Sequence, residues 1–224
     1  STVIQHRGAL VPSLFKGCAW DSLMPLGIFY GITTNPLLAE RAGLAYDGIN
    51  WQDMAQHARS LGAQELHAQV VDVTDDYMCW AEALYAAGQK AGIDCVVKVP
   101  LTIDGIRAAS EIKTLGCKVL MTACYHSKQM FTATALGADY IAPYFGRMHE
   151  AGLDAMAHMA QMRAIGAGSH TRILIASLRS VDQMVDLAMQ GHDCFTLAPA
   201  IAADLVYETQ TDEAAADFER AAKG

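Results

Sequence analysis

The chain has 224 residues, 52% of them apolar, and a net charge of −8 at pH 7. This acidic balance, without a stripe of Lys and Arg, argues against a nucleic-acid partner. No apolar run reaches the ~18 residues of a membrane span, and the N-terminal residues lack the apolar core of a secretory signal. We therefore expect a cytoplasmic protein with neither a nucleic-acid nor a membrane partner.

The six cysteines and eight histidines do not form a metal-binding pattern. No C-x-x-C, H-E-x-x-H or H-x-H spacing occurs, and neither a P-loop nor a dinucleotide-binding glycine motif is present. We expect the cysteines to be buried thiols, and we expect no metal and no cofactor.

Short β-branched runs alternate with longer amphipathic segments, which indicates parallel strands joined by crossover helices. Eight segments have the strand pattern: 13–17, 30–34, 65–71, 95–100, 118–124, 140–143, 172–177 and 194–197. Eight such βα units, repeating every ~22–30 residues, predict an α/β fold of the (β/α)₈ type, a TIM barrel.

The predicted helices include 75–87 and 180–189, and glycines follow several of them as candidate C-caps: Gly88, Gly116, Gly137 and Gly191. Residues 211–224 predict an additional C-terminal helix after the eighth unit, with 209–212 as a linker and cap. No interdomain linker is visible, so residues 1–224 are expected to form one barrel domain. The last helix then packs outside the barrel or on a neighbouring subunit.

Lys98 is the first candidate catalytic residue, because catalytic groups of such barrels lie at the C-terminal ends of the strands. It lies near the end of the fourth predicted strand among apolar neighbours, in Val-Val-Lys-Val-Pro. Burial favours the neutral amine, which can attack a carbonyl and form an iminium ion. A lysine paired with a carboxylate, or one that reaches solvent, is the alternative.

Polar side chains close five other predicted strands: Thr33 and Asn35, Gln69, Thr122, Tyr144 and Arg147, and Ser177 and Arg179. Two arginines and a serine after neighbouring strands predict an anion site, since Arg suits bidentate phosphate contacts. Surface ion pairs of these arginines are the alternative.

Five segments together resemble the transaldolase family: 31–36 (Gly-Ile-Thr-Thr-Asn-Pro), 96–106 around Lys98, 122–123, 138–147 and 175–180. They match in order and spacing, and the resemblance extends from about Leu14 to the terminal helix. It implies a class I aldolase or a transaldolase of carbohydrate metabolism, acting on a sugar or sugar phosphate.

The resemblance also implies a role for each candidate residue. Lys98 would form the Schiff base, and Gln69, Thr122 and Tyr144 would hold the water that transfers protons. The substrate-binding residues would be Thr33 and Asn35 for the hydroxyl groups, and Arg147, Ser177 and Arg179 for the phosphate.

Gln69 and Tyr144 resemble the small fructose-6-phosphate aldolase branch, since transaldolases usually carry a glutamate and a phenylalanine at these positions. A tyrosine hydroxyl helps to protonate the enamine carbon, a step that the release of free dihydroxyacetone requires. The branch also implies a ring-like homo-oligomer, for example a decamer, in which subunits exchange the terminal helix.

One position departs from the family. Gly17 stands where the family has an aspartate at the end of the first strand, and a role taken over by Asp21 is one alternative. The loss leaves four functions open: a fructose-6-phosphate aldolase, a transaldolase, a different imine reaction on an unphosphorylated or amine-bearing substrate, and a carbonyl-binding protein without catalysis.

Overall fold

The computed structural model describes residues 7–10 and 19–224, with side chains from residue 20 onward. The strands of this part pair in parallel in the order β7-β6-β5-β4-β3-β2-β1-β8. Their bounds are β1 Arg7–Leu10, β2 Gly31–Thr33, β3 Glu65–Gln69, β4 Asp94–Pro100, β5 Lys118–Cys124, β6 Tyr140–Pro143, β7 Arg172–Ile173 and β8 Cys194–Leu197.

The sheet is curled, because the two ends of this order also meet just beyond β7. Ile175 pairs with Phe195, its N–H donates to the Cys194 carbonyl, and its own carbonyl accepts from the Thr196 N–H at 2.8 Å. A curled parallel sheet with a helix after most strands is an α/β fold compatible with a TIM barrel.

The helices of the described residues alternate with the strands. Their bounds are α1 Ala19–Leu23, α2 Pro36–Arg41, α3 Trp51–Ser60, α4 Tyr77–Ala91, α5 Ile103–Ile112, α6 Gln129–Ala135, α7 Phe145–Glu150, α8 Ala155–Ile165, α9 Val181–Met189, α10 Pro199–Val206 and α11 Thr209–Lys223. Short 3₁₀ turns occupy Met24–Leu26, Tyr46–Gly48 and Lys113–Leu115. No helix in this part of the chain is long and apolar enough to span a membrane.

Polar side chains cap three helices that follow strands, with turns of only two residues after β2 and β4. Asn35, Thr102 and Ser180 each accept a hydrogen bond from a backbone N–H of the first turn of α2, α5 and α9.

The predicted first strand, 13–17, lies outside the described residues. The strand between β2 and β8 is instead Arg7–Leu10, whose Arg-Gly-Ala-Leu sequence has little of the β-branched character used for prediction. Seven other predicted strands coincide with β2 to β8, although β7 is much shorter than 172–177 because only isolated pairings continue it at 175 and 176.

Two predicted helix ends are wrong. Gly88 lies inside α4 rather than after it, and Gly92, with φ +70°, caps the helix. Gly88 serves close packing, since a Cβ there would approach the Cys95 Sγ and the Ile93 carbonyl to 2.7 Å. Helix α11 begins at Thr209, so the predicted linker is already helical.

Alternate residues of the strands face the inside of the curled sheet, and an apolar layer divides this interior. Val96, Leu120, Tyr140, Ala142, Leu174 and Cys194 form this apolar floor. The larger apolar core, which includes Ile32, Leu66, Val97 and Met121, joins the outer face of the sheet to the helices.

Polar side chains at the N-terminal ends of the strands form a second cluster, which we call the lower network and which shares Tyr140 with the floor: Glu65, His67, Asp94, Lys118 and Tyr140. Glu65 is 1% exposed and its carboxylate contacts His67 Nε2 at 2.9 Å, the Tyr140 hydroxyl at 2.9 Å and Lys118 Nζ at 2.8 Å. Lys118 also contacts Asp94 at 2.6 Å. Burial raises the pKa of Glu65, but the hydrogen bonds and charges of His67 and Lys118 outweigh it and lower the pKa to about 2.

The cysteines of the described residues are free thiols. Cys95, Cys117, Cys124 and Cys194 are buried as expected, whereas Cys79 is exposed on α4, so the expectation is wrong there. The apolar pattern around Cys79 belongs to a helix that is only partly covered.

Candidate active site

A cavity of about 520 Å³ opens at the C-terminal ends of the strands, above the apolar floor. The structure brings together nine of the site residues that the sequence suggested, since they line this one cavity. They are Thr33, Asn35, Gln69, Lys98, Thr122, Tyr144, Arg147, Ser177 and Arg179.

Lys98 lies at the base of the cavity and is 5% exposed. Its Nζ donates to the Thr33 Oγ1 at 3.1 Å and to the Thr34 carbonyl at 2.9 Å. Among the described residues, no carboxylate forms an ion pair with it. Burial therefore lowers the pKa of Lys98 from 10.5 to about 7, so that a large fraction of the amine is neutral at physiological pH.

The turn from β2 into α2 supplies the next two polar groups. Thr33 ends β2, and its hydroxyl is already engaged by Lys98. Asn35 caps α2 by accepting from the Leu38 N–H at 2.9 Å through Oδ1. The cap fixes the orientation of the Asn35 side chain, and its amide NH₂ remains available to a ligand in the cavity.

Thr122 and Tyr144 come from the neighbouring strand ends of β5 and β6 and touch on the wall of the cavity, with 2.9 Å between their hydroxyl oxygens. A register shift between Met121 and Cys124 interrupts the pairing of β5 with β6, and Ala123 adopts a left-handed φ of +58°. A non-glycine residue in this conformation is strained, and such strain concentrates at functional sites.

Gln69 ends β3, and its side-chain amide has no hydrogen-bond partner among the described residues, although it lines the cavity. Its backbone is held by the Tyr46 hydroxyl, which donates to the Gln69 carbonyl at 2.7 Å and accepts from the Gln69 N–H at 2.8 Å.

The three residues of the predicted anion site differ in their contacts. Arg179 is neutralised by Glu150, at 2.7 Å from Nε to Oε1, and also donates to the Ser177 hydroxyl at 3.0 Å. The Arg147 guanidinium lies over the Tyr144 ring, 5.1 Å from its centroid, without a carboxylate in ion-pair contact among the described residues. Ser177 has a left-handed φ of +66°. Thus the surface ion pair named as the alternative exists for Arg179 but not for Arg147.

Sequence reasoning missed Arg41, which also lines the cavity from the last turn of α2. Among the described residues it has no ion-pair partner. Leu38 and Arg41 are three residues apart, on one face of the helix that Asn35 caps. Helical spacing counted from the Asn35 cap would have found it.

The position of Gly17 lies outside the described residues. Asp21, the alternative carboxylate, pairs with His57 of α3 at 3.0 Å and does not line the cavity. The suggestion that Asp21 takes over the role of the family aspartate is therefore wrong. Within residues 20–224, no cluster of three or more His, Cys, Asp and Glu side chains is arranged to hold a metal ion.

Comparison with solved structures bears on the fold alone. Mandelate oxidase superimposes with a TM-score of 0.56 and 12% identity, over 83% of this chain and 60% of that one. A lactate oxidase of Pediococcus acidilactici gives the same TM-score and identity over 82% and 59%. The chain thus spans about 60% of the length of these oxidases.

Comparison of sequences is more specific. The family model described as transaldolase/fructose-6-phosphate aldolase matches residues 19–223. A probable transaldolase of Ruegeria pomeroyi is 34% identical over 197 residues, which is 85% of each chain. One of Caulobacter sp. strain K31 is 32% identical over 201 residues, which is 88% of each. The protein therefore belongs to the transaldolase/fructose-6-phosphate aldolase family of enzymes.

Proposed function

We propose that the protein is a class I aldolase in which Lys98 forms a Schiff base with a small ketone or ketose phosphate. The observation that carries this proposal is the environment of Lys98: a nearly buried amine, without a carboxylate partner among the described residues, at the base of the cavity. A cationic lysine would be a poor nucleophile, whereas a pKa of about 7 makes the free amine abundant.

The reaction then proceeds through an iminium ion and an enamine on Lys98. The neutral amine adds to the ketone carbon, and loss of water gives the iminium ion. In cleavage, the hydroxyl on the adjacent fragment loses its proton, the C–C bond breaks to release an aldehyde, and the electron pair enters the iminium to give an enamine. Protonation of the enamine carbon and hydrolysis of the resulting iminium release the ketone and regenerate the amine.

Proton transfer falls to a water held by Gln69, Thr122 and Tyr144. The Thr122 and Tyr144 hydroxyls are already hydrogen-bonded to one another, and the amide of Gln69 has no competing partner among the described residues. Thr33 and Asn35 contact the hydroxyl groups of the substrate, because both border the cavity beside the amine.

The anion site accepts the phosphate of a sugar phosphate. Arg147 and Ser177 provide a guanidinium and a hydroxyl, and Arg41 adds a charge that no carboxylate neutralises among the described residues. Arg179 acts mainly by orienting Ser177, since Glu150 holds its guanidinium.

Arg41→Gln tests the phosphate site through the KM of fructose 6-phosphate and of fructose. The change should weaken the binding of fructose 6-phosphate about tenfold and leave the binding of fructose nearly unchanged. An equal loss for both sugars would mean that Arg41 does not bind the phosphate.

Transaldolase activity is the second candidate, and the names of the relatives favour it. Tyr144 and Gln69 favour the aldolase, because a tyrosine hydroxyl aids protonation of the enamine carbon. The two reactions differ in their products: an aldolase releases both an aldehyde and free dihydroxyacetone from fructose 6-phosphate, while a transaldolase releases one equivalent of the aldehyde, keeps the dihydroxyacetone unit on its lysine and passes it to an acceptor aldehyde.

Borohydride reduction in the presence of dihydroxyacetone or fructose 6-phosphate tests the Schiff base. We expect an adduct of the corresponding mass, mapped to the peptide containing Lys98 and absent from Lys98→Met. No adduct with either compound on folded protein would overturn the proposal. It would then favour a different imine substrate or a carbonyl-binding protein without catalysis, as the loss of the aspartate at Gly17 allows.

The same proposal includes the complete architecture: one (β/α)₈ barrel over residues 1–224 with a terminal helix that packs on a neighbouring subunit. Helix α11 buries none of its residues, and Phe218 is 73% exposed. A homo-oligomer would cover this surface. Light scattering should give a multiple of the chain mass, and Phe218→Asp should lower it, whereas Phe131→Asp, at an exposed phenylalanine of α6, should not.

A further inference from the structure

We propose that Tyr46 is a positioning residue that holds Gln69, through its backbone, in the orientation needed for proton transfer. The inference rests on the proposed function. The Tyr46 hydroxyl donates to the Gln69 carbonyl at 2.7 Å and accepts from the Gln69 N–H at 2.8 Å. The two residues are 23 positions apart, and Tyr46 itself does not line the cavity.

The phenol replaces backbone partners that β2 does not provide. Beside the cavity, the Thr34 N–H still donates to the His67 carbonyl at 2.8 Å. The Thr34 carbonyl, however, accepts from Lys98 Nζ, and Pro36 has no N–H to donate. Without Tyr46, both backbone groups of Gln69 would therefore have no backbone partner among the described residues, because the adjoining Thr34 carbonyl accepts from the amine and Pro36 cannot donate.

The ring of Tyr46 is held in place by aromatic contacts. It meets Trp51 edge-on, with 5.3 Å between the centroids, and Trp51 meets Trp80 in the same way at 5.6 Å. Burial raises the pKa of the Tyr46 phenol above its usual range. The hydroxyl consequently stays protonated and can donate and accept at the same time, which phenylalanine cannot do.

The orientation of the Gln69 amide affects one step of the reaction, proton transfer at the substrate carbon. The Gln69 amide has no side-chain partner among the described residues, so its direction depends on the backbone from which it projects. Lys98 is held separately by Thr33 and Thr34. Loss of the phenol should thus slow proton transfer at the substrate carbon and leave formation of the imine almost unchanged.

The experiment compares the wild type with Tyr46→Phe, Gln69→Leu and the double variant. Two rates are measured with dihydroxyacetone. One is the rate of borohydride trapping on Lys98. The other is the rate at which the carbon-bound hydrogen of dihydroxyacetone exchanges with D₂O, monitored by NMR. We expect Tyr46→Phe to lower the exchange rate about 10- to 100-fold, as small displacements of catalytic groups do, and to change trapping by less than about twofold. Tyr77→Phe is the matched control, because it removes a phenol bonded to Glu111 on the surface.

The double variant separates positioning from a general loss of stability. If Tyr46 acts through Gln69, adding Tyr46→Phe to Gln69→Leu should lower exchange by less than about twofold further, whereas independent effects multiply. Unchanged exchange in Tyr46→Phe, a parallel fall in trapping, or multiplication in the double variant would overturn the inference. Should Tyr46→Phe not fold, Trp51→Phe decides the same question, since it loosens the ring and keeps the phenol. A wild type without any Lys98 adduct would instead overturn the proposed function.

Discussion

Lys98 and Lys118 lie on the neighbouring strands β4 and β5, at opposite ends of the same interior. Lys118 contacts two carboxylates, Glu65 at 2.8 Å and Asp94 at 2.6 Å. Within the described part of the chain, Lys98 donates to a hydroxyl and a carbonyl and contacts no carboxylate. Burial lowers the pKa of both lysines, but the hydrogen bonds and charges of Asp94 and Glu65 reverse the effect for Lys118, whose pKa is raised. The pKa of Lys98 stays lowered, at about 7.

The difference shows how the interior of one curled sheet holds two lysines with opposite shifts of pKa. The apolar floor around Val96 and Leu120 lies between them, so the carboxylates of the lower network have no direct contact with Lys98 among the described residues. The lower lysine is a structural cation, because a buried carboxylate needs it. Among the described residues nothing comparable stabilises the charge of the upper lysine, which favours its neutral form.

The largest expected effect comes from removing the upper amine. Lys98→Met should abolish the borohydride adduct and lower aldol cleavage on the order of 10⁴-fold or more, as for other covalent nucleophiles. Lys90→Met, on the solvent side of α4, is the control and should leave both unchanged. Cleavage retained by Lys98→Met would mean that another group forms the covalent intermediate.

The second effect is a change in how the free energy of unfolding depends on pH. The folded pKa of Lys98, about 7, lies below its value of ~10.5 in the unfolded chain. Between these values the unfolded state binds more protons, so the free energy of unfolding rises with pH. Relative to Lys98→Met, the wild type should gain up to ~4 kcal/mol from pH 6 to pH 10, at 1.36 kcal/mol per pKa unit. Urea unfolding of both proteins at the two pH values measures this difference, and a pH-independent difference would contradict the lowered pKa.

The third effect is a loss of folding stability when Lys118 is removed from the lower network. Lys118→Met leaves the Glu65 carboxylate without its lysine partner and should lower the free energy of unfolding by ~2–3 kcal/mol, somewhat below the range for fully buried pairs because Lys118 is partly exposed. Arg107→Met breaks the exposed pair with Asp104 and should cost less than ~1 kcal/mol. Equal losses in the two variants would mean that the lower network contributes no more than a surface pair.

The cavity around Lys98 was easier to predict from the sequence than the lower network around Lys118. Lys98 and the polar residues of the cavity were found because strand ends are visible as the boundary between an apolar run and a polar group, and parallel strands bring those ends together. The strand at Arg7–Leu10 was missed, since Gly8 and Ala9 carry weak strand propensity. Roles of the cavity residues remain predictions, whereas their shared location is a property of the structure.

The lower network and the Tyr46–Gln69 contact could not be read from the sequence, because each depends on partners far apart along the chain. Glu65 and Lys118 are 53 positions apart. Lys118 begins its strand after Gly116 and Cys117, whereas Lys98 lies between valines near the end of its strand, but neither local setting identifies a carboxylate partner. Only the register of β3, β4 and β5 decides which of them meets a carboxylate.

The smallest effect concerns the hydroxyl that touches the upper amine. Thr33→Val removes the 3.1 Å hydrogen bond to Lys98 Nζ and keeps the one to the Thr34 carbonyl. Because an ammonium donates more strongly than an amine, this loss should lower the pKa of Lys98 by ~0.5–1 unit, seen as a downward shift in the pH midpoint of borohydride trapping.

Thr196→Val is the matched control, since Thr196 lines the same cavity without a hydrogen bond to Lys98. Its midpoint should stay at the wild-type value. An upward shift in Thr33→Val would reverse the assignment of donor and acceptor: Thr33 would then donate its hydroxyl proton to the neutral amine, stabilising the nucleophile directly instead of the ammonium. The direction of this small shift therefore reports which protonation state of Lys98 the end of β2 is built to hold.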